Sequence, residues 1–157
     1  MDKQKYDIIV VLGPTASGKT SFAARLALML EGEIISADSR QVYRGMDIGT
    51  GKDYGDYEVN GQQVPYHLID IVDPGARYNV FEYQKDFHEV YEAICGRQRM
   101  PVLCGGTGMY IEAVLKGYRL IRVPHNMPLR EELESKSLGE LKELLMAEAS
   151  ELHNTTD

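Results

Sequence analysis

The stretch GPTASGKT at residues 13–20 decides the fold of this chain. It fits the pattern G-x-x-x-x-G-K-[ST], in which the backbone N–H groups of a glycine-rich loop and the N-terminus of the next helix converge on one phosphate group. A short apolar run, IIVVL at residues 8–12, precedes the loop, and a helical pattern follows it over 21–30. Because strand, loop and helix occur in the order that the motif requires, we predict a site for a phosphate or a diphosphate.

Two side chains at the end of this loop carry its chemistry. Lys19 adds a full positive charge, and the hydroxyl of Thr20 can help to hold Mg²⁺. A glycine turn that matches the pattern by chance is the alternative, but the strand and the helix on either side argue against it. The motif identifies a phosphate ligand and leaves the reaction open.

The composition is that of a globular protein with one substantial core. The chain has 157 residues, of which 43% are hydrophobic and 26% are charged. No apolar run approaches the roughly 20 residues of a membrane helix, and the first residues lack the apolar segment of a signal peptide. Two cysteines, Cys95 and Cys104, are too few for a disulfide framework or a zinc site. We therefore expect a cytoplasmic protein that does not contact a membrane and whose two thiols are buried.

The formal net charge of −7 argues against a broad, nonspecific surface for nucleic acids, because such a surface would be basic. A local basic patch is still compatible with this charge.

Strands and helices alternate along the chain, which predicts an α/β fold with a mainly parallel sheet. The predicted strands are 7–12, 33–36, 67–72 and 101–104, and the predicted helices are 19–30, 79–95 and 109–115. In such sheets ligands bind beyond the carboxyl ends of the strands. We therefore expect the phosphate loop, Asp38 with its neighbours and the turn GGTG at 105–108 to lie together.

Two segments depart from this alternation. Residues 52–63 are polar and contain the turn signal Asn60-Gly61, so we predict a surface excursion with a small hairpin between 57–59 and 63–64. Residues 129–152 are rich in Leu, Glu and Lys and predict two short helices. We accordingly divide the chain into an α/β core, 1–118, and the start of a separate helical domain, 119–157. Capping boxes are expected at Asn79 with Glu82 and at Ser137 with Glu140.

Asp38 and Thr107 are the first candidates for chemistry outside the phosphate loop. A carboxylate at Asp38 could ligate Mg²⁺, bind a ribose or accept a proton, and a plain turn cap is an equally weighted alternative. The hydroxyl of Thr107 could donate to a phosphate or leaving-group oxygen, although a simple strand-to-helix turn would also explain its motif. Asp70 could be a second acid near Mg²⁺, whereas His67 and Asp73 suit structural roles.

Five stretches in order carry a resemblance to one family: GPTASGKT at 13–20, ISADSRQVYRGMDIGTGK at 35–52, VPYHLIDIVDP at 64–74, YNVFEYQKDF at 78–87 and PVLCGGTGMYIEAVLKG at 101–117. With them the chain resembles the bacterial tRNA dimethylallyltransferases, the tRNA isopentenyltransferase family. The resemblance is dense over 8–117 and thins beyond it. It implies a P-loop NTPase-like parallel sheet flanked by helices, with an inserted helical domain.

The resemblance also implies a reaction. Members of this family transfer a dimethylallyl group from dimethylallyl diphosphate to the exocyclic amine of the adenosine just 3′ of the tRNA anticodon. Asp38 matches the general base, and Thr107 matches the threonine near the bridging oxygen of the leaving diphosphate. Thr20 would help to place Mg²⁺. The diphosphate would be held by the loop residues Gly13, Thr15, Ala16, Ser17, Gly18, Lys19 and Thr20.

The partners implied are tRNA and dimethylallyl diphosphate, and we expect a monomer. The tRNA would lie along Asp38, Ser39, Arg40, Gln41 and Thr107. Arg130 aligns less closely with an arginine of the inserted domain near the tRNA.

The main departure from the family is length. Family members continue beyond the equivalent of residue 157, through a basic stretch that supplies an arginine to the diphosphate and much of the contact with tRNA. The chain therefore resembles an N-terminal portion, which fits its negative charge. Three other interpretations stay open at this point: a P-loop small-molecule kinase, an isopentenyltransferase that uses a free adenine nucleotide, and a truncated, non-catalytic binding module.

Overall fold

The structure, a computed structural model, describes residues 7–14, 16–122, 124 and 126–148. The chain divides into two compact units, residues 1–121 and 122–157. The interpretation of these units as a core and the start of an inserted domain stays a prediction. Within the described residues the strands are β1 (Ile9–Leu12), β2 (Glu33–Ala37), β3 (Glu58–Val59), β4 (Gln62–Gln63), β5 (Tyr66–His67) and β6 (Pro101–Gly105). The helices are α1 (Lys19–Met29), α2 (Val80–Gly96), α3 (Gly108–Leu115), α4 (Met127–Glu134) and α5 (Leu138–Glu148), with a 3₁₀ turn at Tyr54–Tyr57.

Four of the strands form a parallel sheet in the order β1-β6-β2-β5. β6 lies between β1 and β2, so Leu103 is in register with Val10 on one side and with Ile35 on the other. This sheet, with helices packed on it, confirms the predicted α/β class. The register also brings the carboxyl ends of β1, β2 and β6 to one edge, where the candidate site lies.

The core consists of two apolar layers on opposite faces of the sheet. Because side chains alternate along a strand, Ile34 and Val102 face the layer that contains the alanines of α1, whereas Ile35 and Leu103 face the layer that contains α2 and α3. β2 and β6 are buried on both faces, which explains why the apolar residues in each strand are consecutive rather than alternating.

The predicted strand over 67–72 is wrong. Pairing with β2 ends at His67, because Leu68 and Asp70 have left-handed backbone angles, with φ of 62° and 55°. A strand cannot continue through such angles. Only a single parallel bridge between Tyr43 and Val72 marks the later part of this segment.

The polar excursion contains the predicted hairpin, with Glu58 and Val59 paired to Gln63 and Gln62 around the turn at Asn60. Of the two cysteines, Cys104 is buried in β6, but Cys95 is exposed, contrary to expectation. Cys95 follows the fully buried Ile94 in α2, and one residue turns a helix by about 100° away from the core.

Helix caps follow the sequence signals in part. Ser137 and Glu140 form the expected reciprocal capping box, in which the Ser137 N–H donates to Glu140 at 2.8 Å and the Glu140 N–H donates to Ser137 at 3.4 Å. Asn79 caps α2 by accepting from the N–H of Phe81, while Oε2 of Glu82 is buried without a hydrogen-bond partner in the described structure. No helix among the described residues is long and apolar enough to span a membrane. The end of the predicted helical run, 149–152, lies outside the described residues.

Candidate active site

The phosphate loop follows β1 and leads directly into α1. Ala16 and Gly18 have left-handed φ values of 60° and 77°, and this curvature turns the backbone N–H groups of the loop toward one point. α1 begins at Lys19 with no acidic residue in its first turn, so nothing on the helix itself offsets the positive end of its dipole. The Lys19 ammonium donates to the carbonyl of Pro14 at 3.0 Å. Thr15 lies outside the described residues.

This loop forms one side of a cavity of about 340 Å³, which is within the range of small-molecule sites. Residues 16–20 line one wall of the cavity. Asp38, Thr50 and Cys104 line other parts of it, as do Gly51, Asp53 and Tyr57. The cavity therefore joins the phosphate loop to residues from the ends of β2 and β6.

Asp38 stands at the carboxyl end of β2, half-buried, on the wall of this cavity. Its Oδ1 accepts the N–H of Arg40 at 2.9 Å. The carboxylate thus caps a turn, as one interpretation of the sequence expected, and it faces the cavity as well. The hydrogen bond fixes the orientation of the carboxylate, which a residue that must accept a proton at a fixed place needs.

Thr107 connects the turn after β6 to the turn after β2. Its hydroxyl oxygen accepts the N–H of Ser39 at 3.0 Å, and its own N–H donates to the carbonyl of Ala37 at 3.0 Å. The hydroxyl contacts Ser39 Oγ at 3.4 Å, a weak interaction that a better acceptor can replace. The turn that contains Thr107 is therefore hydrogen-bonded directly to the two neighbours of Asp38, Ala37 and Ser39.

A second cavity, of about 470 Å³, lies against the same turns. Gly13, Ser39, Arg40 and Thr107 line it, and Asp38 and Thr50 line both this cavity and the first. Asp38 therefore lines both a cavity formed with residues 16–20 of the phosphate loop and a cavity formed with its own following residues and Gly13.

Gln41 lines the first cavity, and its side-chain amide makes hydrogen bonds within the protein. The residue is buried, accepts from the hydroxyl of Ser36 at 2.8 Å and donates to the carbonyl of Gly51 at 3.0 Å. Arg40 beside it is exposed. Arg130 is also exposed and lies in α4 of the second unit. A role for these residues toward tRNA stays a prediction.

Asp70 is not an acid that faces the phosphate site. Its carboxylate accepts from Lys52 at 2.5 Å and from the hydroxyl of Tyr54. Burial opposes the charge on Asp70, but these two hydrogen bonds outweigh it and lower the pKa of the carboxyl. Lys52, whose side chain is fully buried, stands outside the site residues that the sequence predicts. In the sequence, Lys52 is marked only by its position directly after Gly49-Thr50-Gly51, at the start of a polar segment.

Cys104 contributes a neutral group to the first cavity. Burial raises the pKa of its thiol to about 11, against the opposing effect of the nearby Lys19. The thiol is therefore protonated at neutral pH and is unsuited to nucleophilic chemistry.

The parallel sheet, the phosphate loop at the end of β1 and the anchored acid at the end of β2 define a P-loop-type α/β protein with a two-cavity site. Comparison with known proteins gives the particular group. Two family models match, IPP transferase over residues 41–156 and isopentenyl transferase over residues 6–69. The chain belongs to the IPP transferase family.

The curated relatives of this chain include two proteins with high identity. A "tRNA dimethylallyltransferase 1" of Parabacteroides distasonis is 65% identical over 98% of this chain and 50% of its own length. A "tRNA dimethylallyltransferase 2" of Bacteroides fragilis is 64% identical over 100% of this chain and 51% of its own length. The chain thus spans about half the length of the curated relatives it matches.

Solved structures show the same fold. A full-length tRNA isopentenylpyrophosphate transferase from Bacillus halodurans matches 92% of this chain and 48% of its own, with a TM-score of 0.68 and 38% identity. A eukaryotic dimethylallyltransferase acting on tRNA matches 89% of this chain and 35% of its own, with a TM-score of 0.72 and 26% identity. The P-loop-like arrangement predicted from the sequence is therefore the fold of this family.

Proposed function

We propose that this chain carries the donor site and the general base of a tRNA dimethylallyltransferase. The carrying observation is that Asp38 lines two cavities at once, one with the phosphate loop and one with Ser39, Arg40 and Thr107. A transferase must bring a donor and an acceptor to one reacting point, and a carboxylate between two cavities suits that requirement. The names of the relatives support the same activity.

Dimethylallyl diphosphate is the proposed donor, with its diphosphate on the phosphate loop. The N–H groups of residues 16–20, the N-terminal end of α1 and the Lys19 ammonium would neutralise the negative charge that grows on the leaving group. In the free protein Lys19 contacts the carbonyl of Pro14, a neutral partner that a phosphate oxygen can replace.

Mg²⁺ is the proposed cofactor, and the donor set at this site fits it. Thr20 offers a hydroxyl oxygen at the cavity that the phosphate loop lines. This suits Mg²⁺, which is usually held by one or two protein oxygens together with substrate phosphates. When bound, the ion would add positive charge at the diphosphate.

The proposed reaction is a substitution at the first carbon of the allyl group. The exocyclic nitrogen of adenine forms a bond to that carbon, the carbon–oxygen bond to the diphosphate breaks, and the bonding electrons leave with the diphosphate. The nitrogen loses one proton, which Asp38 accepts. The Thr107 hydroxyl accepts the N–H of Ser39, so its own hydrogen is available to donate to the departing bridging oxygen.

The acceptor is proposed to be the adenosine 3′ of the tRNA anticodon, entering through the second cavity. A base in a stacked loop must be turned out to reach a carboxylate in a cavity. Arg40 at the rim is exposed and can contact the phosphate backbone. We further propose that residues 119–157 begin a helical domain whose Arg130 contacts the tRNA, and that the protein works as a cytoplasmic monomer.

The test replaces Asp38 by Asn in the full-length protein. We expect the rate constant of transfer to fall by roughly 10²- to 10⁴-fold, because the proton acceptor is lost. The affinity for dimethylallyl diphosphate should stay equal or increase, because a negative charge is removed from the cavity. Transfer is measured with a labelled donor and an anticodon stem-loop, and donor affinity by calorimetry.

The matched control is Asp7→Asn, the same change at an exposed residue before β1 that lines neither cavity. Its transfer rate should stay within about twofold of the original. Near-normal transfer by Asp38→Asn would contradict the assignment of the base. Preferential binding of ATP over dimethylallyl diphosphate, with phosphoryl transfer, would contradict the proposed function and favour a kinase.

A further inference from the structure

Lys52 is a buried charge that the proposed reaction does not use. Its side chain has no exposed surface, yet its ammonium has three partners. It donates to the carbonyl of Tyr43 at 2.5 Å, to Asp47 at 3.2 Å and to Asp70 at 2.5 Å. All three hydrogens of the ammonium are thereby satisfied, as a buried lysine requires.

Asp70 is the centre of this arrangement. It accepts from Lys52, from the hydroxyl of Tyr54 and from the backbone N–H of Gly45. All three donors belong to one loop, residues 44–54, which lies between β2 and β3 in the chain. Asp70 has a left-handed φ of 55° and lies beyond His67, where the pairing with β2 ends.

The other side of the same loop forms walls of the two cavities. Thr50 lines both cavities, Gly49 lines the second, and Gly51 and Asp53 line the first. The loop is joined to the sheet at a second point, because Gln41 connects the carbonyl of Gly51 to Ser36 of β2. A hydroxyl bond from Thr50 to the carbonyl of Met46, at 2.6 Å, stiffens the tip.

We propose that Lys52 and Asp70 are positioning residues that hold the 44–54 loop in place, so that Thr50 lines both the donor and the acceptor cavity and Gly51 lines the donor cavity. Neither residue lines either cavity, so they act through the loop rather than on a substrate. The part of this inference that concerns transfer rests on the proposed function, whereas the part that concerns the loop does not.

A role in bulk stability alone would not need these groups. An ion pair with a buried member is often no more stabilising than apolar residues of the same volume, because charge must be removed from water, and here the Lys52 side chain is fully buried while that of Asp70 is 30% exposed. The pair does restrict the conformation of the loop. The ammonium donates three hydrogen bonds and the carboxylate accepts three, and only one arrangement of the loop satisfies them all. Loss of Lys52 removes the cation that Asp70 and Asp47 share and should release the loop.

The first arm of the test measures amide hydrogen exchange in Lys52→Met, which keeps the length of the side chain without its charge. We expect the exchange of the Gly45 and Tyr54 amides to become at least tenfold faster. Exchange of the β6 amides should stay within about twofold. Tyr54→Phe, which removes one donor to Asp70, should give a smaller increase of about threefold at Gly45. Lys85→Met, which breaks only an exposed pair with Glu89, is the matched control and should change neither region.

The second arm measures transfer and binding in the full-length protein. Lys52→Met should lower kcat/KM of transfer at least tenfold, while the Kd of inorganic pyrophosphate with Mg²⁺ stays within about twofold, because the phosphate loop is untouched. If Lys52→Met does not fold, Tyr54→Phe carries both arms, with an expected loss in transfer of about threefold.

Unchanged exchange in the loop, or an equal rise in the loop and in β6, would overturn the inference. Equal losses in transfer and in pyrophosphate binding would overturn the positioning role as well. Absence of transfer in the unaltered protein would contradict the proposed function, and the exchange arm would then decide the inference on the loop by itself.

Discussion

Gly105 is the position where one added methyl group should be most costly. A Cβ at Gly105 would lie 2.2 Å from the carbonyl oxygen of Ala37 and 2.4 Å from its carbonyl carbon. These are backbone atoms of β2, the strand that pairs with β6. Because no side chain can rotate away, Gly105→Ala must push the two central strands apart.

The cost has two parts. An ordinary contact needs a separation above 3 Å, so relief requires a shift of about 1 Å, and overpacking of this kind costs about 1–3 kcal/mol. The same carbonyl of Ala37 accepts the N–H of Thr107 at 3.0 Å, and loss of that bond adds about 1 kcal/mol. We therefore expect the free energy of unfolding to fall by about 3 kcal/mol, which corresponds to roughly 10 °C in Tm.

The assay is urea and thermal unfolding followed by circular dichroism, with two neighbouring glycines as controls. In Gly106→Ala the nearest atom to the new Cβ is 3.4 Å away, an ordinary contact, so the change should stay within about 1 kcal/mol. In Gly108→Ala, at the start of α3, the Cβ meets nothing within 4 Å, and alanine should be neutral or stabilise by up to about 1 kcal/mol.

The order of the three variants tests the reasoning more strictly than any single value. If Gly105→Ala were as stable as Gly108→Ala, the close approach of β2 and β6 would not be a constraint. Because Asp38 follows Ala37, the same variant should also weaken transfer. A Gly105→Ala protein that is stable but inactive would show that the added methyl group disturbs the candidate site and not the stability of the sheet.

Two further predictions concern charge and reactivity. Glu33 is buried and accepts from Arg97 at 2.7 Å and contacts His67 at 2.7 Å, and the bond to Arg97 is the main reason that the pKa of Glu33 is lowered. A carboxyl whose pKa is lower in the folded than in the unfolded protein stabilises the fold at pH values above its unfolded pKa, roughly 4.3. That contribution is lost as the pH falls through the pKa of the folded state. Urea unfolding between pH 7 and pH 3 should therefore show a smaller loss of stability in Glu33→Gln than in the original protein, and an equal loss in both would contradict this role. Separately, iodoacetamide at pH 8 should modify the exposed Cys95 at least tenfold faster than Cys104, whose pKa is about 11, as read by peptide mass spectrometry; equal rates would contradict the burial of Cys104.

The local elements could be predicted because their signals are local. β1, α1, α2 and β6 each agree with their predicted position to within about two residues, since apolar period and capping residues lie inside each segment. The failure over 67–72 has the opposite cause. Its sequence is typical of a strand, but Leu68 and Asp70 adopt left-handed angles in a structure in which Asp70 is held by Lys52, a residue 18 positions away.

The candidate site shows the same division. The phosphate loop, Asp38 and Thr107 could each be proposed from their positions after strands, because parallel strands end at one edge of a sheet. The internal use of Gln41 and the burial of Lys52 could not be proposed in this way, since both depend on partners brought close by the folding of the 44–54 loop.

The sequence by itself determined the phosphate loop, the α/β class and the family, because each is written in short runs whose backbone geometry is local. Only the tertiary structure decided that Asp38 lines two cavities and that the buried ammonium of Lys52 pairs with Asp70. The physical reason is that burial and the pairing of charges depend on which distant segments meet, and that follows from the order of the strands in the sheet and the path of the loop between them.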